Sequence, residues 1–355
     1  MPQFACVALG TGAAKILQNL SITEKIQGLI YDAPQEGFEH PSIEWQPMGE
    51  SAWGTGADFE EAQKLFRNST QVFQKLKKVD CIIAIATLGG GIGSAGIAAL
   101  KYYCVKERKA FLPIVFSPFE SEGNSKLNNA NRALRQLEDC ALLHLDNEQL
   151  ARQHGHDLQQ AFSICNEEIA QSLNAMIEGL LTPGPIAINP AHFFALLKEK
   201  SSKVQLTHGV ASGPDRINAA VNELFDSRGL ISSRFCEEAQ KALIHIHGNA
   251  YFSIKDHQDC VEAIKKLLHA DCEIIAGFSQ TADRQEELSI SLLAVQTQNK
   301  PSPKSPAKSH DTVYNIQGEL GLQELSAGIF ENTPHKSELD IPTFLRQNIA
   351  IDTGK

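Results

Sequence analysis

The segment Leu88-Gly89-Gly90-Gly91-Ile92-Gly93-Ser94-Ala95-Gly96 stands between an apolar strand-like run and a helix-like run. Glycine lets the backbone take positive φ and bring its N–H groups close to a ligand. A helix N-terminus directly behind adds partial positive charge, so the segment reads as an anion cradle; a glycine turn without a ligand is the alternative. It has neither the Lys of a Walker A loop nor the register of a GxGxxG fingerprint, which sets both of those phosphate-binding families aside. Leu9-Gly10-Thr11-Gly12-Ala13 follows the first strand, and Trp53-Gly54-Thr55-Gly56-Ala57-Asp58 precedes a long helix. Both are expected beside the first loop, because open α/β sheets bind ligands at the carboxyl ends of their strands.

Such loops need a scaffold that alternates strand and helix. Phe4–Leu9, Gln27–Tyr31, Val79–Thr87 and Ala110–Phe116 read as strands, the last two apolar enough to be buried on both faces of a parallel sheet. Helices are expected from about Ala13 to Leu20, Phe59 to Lys78 and Ser94 to Glu107, which together imply a doubly wound parallel sheet. A helical stretch from Leu158 to Leu181 ends at Thr182-Pro183-Gly184-Pro185. At 1.5 Å per residue it spans about 33 Å, enough to act as a strut between two domains. Beyond it, Gln205–Ser212, Lys241–Ile246, Cys272–Phe278 and Glu287–Gln296 are strand-like, while Pro214–Phe225 and His257–Leu267 are helix-like: a smaller α+β domain with a mixed sheet. The expected divisions are 1–157, 158–182 for the connecting helix, 183–298, a Pro-, Ser- and Lys-rich linker at 299–337, and a C-terminal peptide at 338–355. A disordered linker of about 39 residues would span roughly 35 Å root-mean-square.

The 355 residues suffice for two cores, and 42% hydrophobic with 21% charged residues is ordinary for a globular protein. A net charge of −10 argues against duplex nucleic acid and against direct adhesion to anionic lipid. No apolar run approaches the roughly 20 residues needed to cross a bilayer, so no membrane insertion is expected. The first residues lack a basic and apolar leader pattern, and eight cysteines without a Cys-x-x-Cys pair suit reduced thiols, so a cytoplasmic location is expected. His154-x-His156 and His245-x-His247 have clamp-like spacing, but no third ligand is evident and no metal site is assigned.

Gly89–Gly96 resembles the tubulin-type GGGTGTG loop of FtsZ, the bacterial cell-division tubulin homologue. Ser117-Pro118-Phe119-Glu120-Ser121-Glu122-Gly123 is similar to that family's ribose-holding KPFxFEG loop, and Asp146-Asn147-Glu148 to the tubulin version of the next loop. Ala161–Asn166 resembles the start of the central helix, where an aromatic packs on guanine and an amide or acid pairs with its edge. His208–Gly213 is close to GxGVASG, and Ala242–Gly248 to VLxNITGG. Leu339-Asp340-Ile341-Pro342-Thr343-Phe344-Leu345-Arg346 looks like the peptide through which FtsZ meets membrane tethers and regulators. The resemblance implies a GTP/GDP site built on Gly10, Thr11, Gly12, Gly54, Thr55, Gly56, Gly89, Gly90, Gly91, Ile92, Gly93, Ser94, Glu122, Lys126, Phe162 and Asn166, with Mg2+ but no dedicated protein ligand for it. It also implies head-to-tail self-assembly, a mid-cell division (Z) ring with a septation role, and partners at Leu339, Ile341, Pro342, Phe344, Leu345 and Arg346. The residues agree: the Asn166 amide offers the donor and acceptor that guanine's edge needs, and Phe162 lies one helical turn away on the same face. Taken alone, a helical Phe is more often core.

Departures from the family bear on hydrolysis. In FtsZ the loop after the central helix reads NLDFAD and completes the neighbouring subunit's site with two Asp. Aligned on Pro183-Gly184, Asn189 and His192 take those places as the in-trans catalytic positions. Asn orients water but is no base, whereas neutral His accepts a proton, so turnover slower by two or more orders of magnitude is expected unless Glu199 or another acid substitutes. The first loop is shorter than the family's and lacks its Asn; Lys15 there would meet a phosphate as a point charge. Ile92 removes a hydroxyl from the phosphate loop, and Lys126 replaces an Arg that reaches the γ-phosphate. A non-hydrolysing paralogue acting as a nucleotide-binding scaffold is the second reading. A dinucleotide enzyme is disfavoured, since no GxGxxG follows the first strand and Asp32 lies in a poor ribose-binding context.

Overall fold

A computed structural model describes residues 2–23, 25–68, 72–154, 158–182, 184–226, 233–249, 251–281 and 287–297. The expected linker and C-terminal peptide, with Pro183 and His156, lie outside the described residues. In chain order the first half comprises β1 (Phe4–Leu9), α1 (Thr11–Gln18), β2 (Ile26–Asp32), β3 (Ile43–Pro47), α2 (Phe59–Asn68), β4 (Cys81–Thr87), α3 (Gly91–Lys106), β5 (Ala110–Ser117), α4 (Asn124–Gln136), β6 (Ala141–Asp146) and α5 (Asn147–His154). It continues with α6 (Leu158–Leu181), α7 (Pro190–Leu197), β7 (Ser202–Ser212), α8 (Arg216–Asp226), α9 (Ser233–Glu237), β8 (Lys241–Asn249), α10 (Ile254–Lys265), β9 (Glu273–Thr281) and β10 (Glu287–Gln296).

The first six strands are parallel in the order β3-β2-β1-β4-β5-β6. β1 and β4 are buried almost throughout, as strands covered on both faces must be. Apolar residues of α1, α6 and α7 cover one face, and those of α2, α3 and α4 cover the other. This is the expected doubly wound sheet. Its winding reverses between β1 and β4, and in such sheets the crevice outside the strand ends at that switch point takes the ligand.

β6 joins β7 through Ala141–Ser202 and Leu142–Lys203, and the sheet continues as β7-β10-β8-β9. β10 runs antiparallel to β7 and β8, whereas β9 is parallel to β8: a mixed sheet, as expected. α8, α9 and α10 pack on it through a separate cluster around Leu224, Cys236 and Ile264. α6 buries Cys165, Ile169, Leu173, Met176, Ile177 and Leu180, a three- and four-residue spacing that forms one stripe.

Three elements differ locally from the sequence-based expectation. The helix expected over Phe59–Lys78 ends at Asn68, and Gln74–Leu76 forms a separate 3-10 turn. β3 is a short edge strand closed by Pro47, a pattern with little apolar signal. α3 begins at Gly91 rather than Ser94, because its first turn needs glycine for packing despite glycine's poor helix propensity.

His245 and His247 share one buried face of β8 and are bridged by Ser279: His245 Nε2 and His247 Nδ1 each lie 2.9 Å from its hydroxyl. The end of α6 presses on this pair, since a Cβ on Gly179 would fall 2.3 Å from His245 Cγ. Gly179→Ala therefore forces either the helix or the imidazole to shift. We expect a loss of about 1–3 kcal/mol in chemical unfolding, the usual cost of overpacking. Unchanged stability would mean that α6 and β8 are not in this close register.

Candidate functional site

The site is assembled where α1 and α3 leave the carboxyl ends of β1 and β4. Gly10, at φ 86°, caps α1, and its N–H donates to the Tyr31 carbonyl at 3.0 Å. Leu88 N–H donates to the Phe116 carbonyl at 2.8 Å, and Gly89 turns the chain at φ 100°, a value that favours glycine. The first turn of α3 then runs so close to the sheet that a Cβ on Gly93 would lie 2.1 Å from the Thr87 carbonyl oxygen. Four N–H groups at a helix start have no intrahelical acceptor, so this turn aims donors and a partial positive charge at the crevice.

The Trp53–Asp58 loop comes to the same place. Thr55 Oγ1 is 2.1 Å from where a Gly91 Cβ would stand, which puts that hydroxyl directly over the α3 start. Asn129 on α4 locks the two loops together: its Nδ2 donates to the Ala57 carbonyl at 2.7 Å and to the Gly89 carbonyl at 3.0 Å. The structure thus brings together Gly10–Gly12, Gly54–Gly56 and Gly89–Gly93. Asn129 was not singled out in the sequence; an amide that reaches two carbonyls in distant loops leaves no local pattern.

Several expected contacts take other roles. Ile92 is 5% exposed and belongs to the core beneath the loop, so its backbone alone faces the crevice. Ser94 is fully buried, and its Oγ accepts the Gly89 N–H at 2.9 Å, which braces the turn from within. Thr11 donates its hydroxyl proton to Asp32 at 2.7 Å, so the carboxylate that a dinucleotide enzyme would offer to a ribose is engaged by the first loop. Glu122 accepts from Phe119 N–H at 2.9 Å and pairs with Lys126 at 2.8 Å. Lys126 sits against Gly89 but is held by Glu122, so either group must release the other before it can meet a ligand.

From Gly12 a cleft of about 710 Å³ runs along α1 toward the start of α6, walled by Lys15, Phe116, Asn147, Phe162 and Asn166 among others. Phe162 stands edge-on to Phe119, ring centroids 5.7 Å apart, so it lines the cleft and is also packed on one side. Asn147 is 8% exposed and its buried Oδ1 has no hydrogen-bond partner. Buried acceptors are seldom left unpaired, and one at the wall of a cleft suits a ligand N–H. Lys15 faces this cleft beside Phe162 and Asn166.

At the other end of α6, Ile186 pairs with Phe278 and anchors the loop that leads to Asn189. Asn189 is the N-cap of α7: its Oδ1 accepts from Ala191 N–H at 2.9 Å. His192 follows in the first turn of α7, and both residues are exposed. Glu199, the candidate substitute acid, is ion-paired with Lys241. Among the described residues no group of three His, Cys, Asp or Glu converges as a metal site, and no helix is long and apolar enough to cross a membrane.

A doubly wound sheet with glycine loops at its switch point, joined through a 24-residue helix to a mixed sheet, defines the tubulin/FtsZ fold. Solved structures agree: an empty FtsZ dimer from M. jannaschii superposes with a TM-score of 0.70 over 87% of this chain and 96% of that one, at 18% identity. A GTPγS-bound CetZ2 protofilament from Haloferax volcanii gives 0.66 over 82% and 92%, also at 18% identity. In sequence, the cell division protein FtsZ of Mycoplasmopsis pulmonis is 23% identical over 268 residues, 74% of this chain and 68% of the relative. FtsZ of Methanothermobacter thermautotrophicus is 25% identical over 218 residues, 61% of this chain and 55% of the relative. No family model matches the chain. The chain is a divergent member of the tubulin/FtsZ superfamily.

Asn129→Ala removes both donors that join the glycine loops. Two part-buried hydrogen bonds predict a loss of about 1–3 kcal/mol in unfolding free energy. Amide exchange should accelerate at 54–58 and 88–91 and stay unchanged in β8–β10; unaltered exchange at 54–58 would show that Asn129 does not hold that loop.

Proposed function

We propose that this chain binds a guanine nucleotide with its phosphates on the α3 N-terminus, and that copies assemble head to tail into filaments. The observation that carries the reading is the convergence of three glycine loops at the β1–β4 switch point, continuous with a cleft that ends at Phe162, Asn147 and Asn166. Fixed backbone N–H groups suit phosphate oxygens, while a ring with two amides suits a purine face and its edge. The names of two similar structures, a dimer and a GTPγS-bound protofilament, support self-association and guanine-nucleotide binding. Mg2+ would arrive with the phosphates and keep most of its waters, in line with its usual coordination; no protein ligand is assigned to it.

On this reading Gly10, Thr11, Gly12, Gly54, Thr55, Gly56 and Gly89–Ser94 form or brace the phosphate side. Glu122 and Lys126 exchange their mutual pair for ribose and phosphate. Asn189 and His192 of one copy enter the cleft of the next, where His192 is the better proton acceptor. Division at mid-cell, and docking of the 338–355 peptide on a membrane tether or regulator, extend the same reading from the resemblance of that segment. A non-hydrolysing scaffold is favoured by one observation: Asn189 is engaged as the α7 cap, and the nearby acid Glu199 is tied to Lys241.

Two measurements decide between these. GTP-dependent sedimentation should pellet the protein, and no pellet at any protein concentration would refute the filament. Phosphate release per assembled subunit should be slow and should rise at least about tenfold in Asn189→Asp/His192→Asp, within the range a general base contributes. Both substitutions suit the start of α7, since Asp caps a helix as well as Asn does and an acid is favourable at its third position. An unchanged rate in assembled filaments of the double variant would place the trans loop elsewhere.

A further inference from the structure

Among the described residues, Lys15 is the one cation on the wall of the cleft that also carries Phe162, Asn147 and Asn166. It is exposed on α1, one helical turn beyond Thr11, and among the described residues it has no acidic partner and no hydrogen bond. Among the described residues the lining of the cleft contains no carboxylate. The glycine loops already supply the phosphate donors, and Lys15 stands about 4.5 Å further along the α1 axis than Gly12, toward the amides. An ammonium on that wall is available to a heterocycle that stacks on Phe162.

Resting on the nucleotide reading above, we propose that Lys15 is a specificity-determining residue that reads the O6/N7 edge of the purine and so selects 6-oxopurine nucleotides over adenine nucleotides. Guanine and hypoxanthine present two acceptors on that edge, which an ammonium can bridge. Adenine presents one acceptor and an amino donor, which repels it. The Asn147 and Asn166 amides are left to meet the N1 side. Division of the work in this way makes the choice depend on the 6-oxo group more than on the guanine 2-amino group.

The test is displacement of a fluorescent GTP analogue from the full chain by GTP, ITP and ATP, for the unaltered protein, Lys15→Met and Lys15→Arg. Met keeps the length and helix propensity of the exposed lysine, so folding is retained. The unaltered chain should bind GTP and ITP within a few-fold of each other and ATP about tenfold to a hundredfold more weakly, the usual discrimination of a good base-edge contact. Lys15→Met should weaken GTP and ITP by about tenfold with ATP unchanged, so that the preference collapses, whereas Lys15→Arg should retain it. An equal loss for all three nucleotides would overturn the proposal and assign Lys15 to a phosphate; unchanged GTP affinity would overturn it as well. If the unaltered chain binds no labelled GTP, the nucleotide reading itself falls, a result distinct from either.

Discussion

The site depends on how closely α3 can approach the sheet. At Gly93 the helix backbone lies so near the Thr87 carbonyl that one methyl group there would overlap it. Only with that approach does the first turn of α3 point its unsatisfied N–H groups into the crevice between β1 and β4. Thr55 over Gly91, the Ser94 brace on Gly89 and the two bonds from Asn129 all follow from the same placement. A helix displaced outward by a single side chain would still pack on β4, but its donors would face the neighbouring loop instead of a shared anion position.

α6 carries the second constraint. Its start helps wall the cleft through Phe162 and Asn166, its middle fills the core beneath the parallel sheet, and its end rests on the His245–Ser279–His247 bridge. One rigid rod of 24 residues, about 36 Å long, therefore touches both the proposed base position and the sheet next to the Ile186–Asn189 loop. A shift of α6 on binding would reach that loop without an intermediary. Close packing at Gly179 makes such a shift an all-or-none repacking of His245 more than a gradual slide.

Much of this was legible in the residues. The apolar run of β4, the glycines and the following helix marked a strand–loop–helix unit, and the uninterrupted pattern over Leu158–Leu181 coincides with α6. The last strand, Glu287–Gln296, was read at its full length. What escaped was set by contacts that form only once the chain is folded. Ile92 reads as a loop residue until the core beneath it is built; Lys126 reads as a free cation until Glu122 turns toward it; the capping role of Asn189 shows only once α7 begins behind it. Lys15, expected near a phosphate, lines the cleft that begins at Gly12. Periodicity reports which face a residue occupies, whereas its hydrogen-bond partner is a property of the assembled fold.

Hydrogen–deuterium exchange with and without saturating GTP tests the central claim most directly, because it locates the ligand as well as detecting it. Slowed exchange is predicted in peptides covering 10–15, 88–94 and 160–167, with the α3 start most strongly protected. Protection confined to other segments, or no change at millimolar GTP, would contradict a phosphate cradle at Gly89–Gly93.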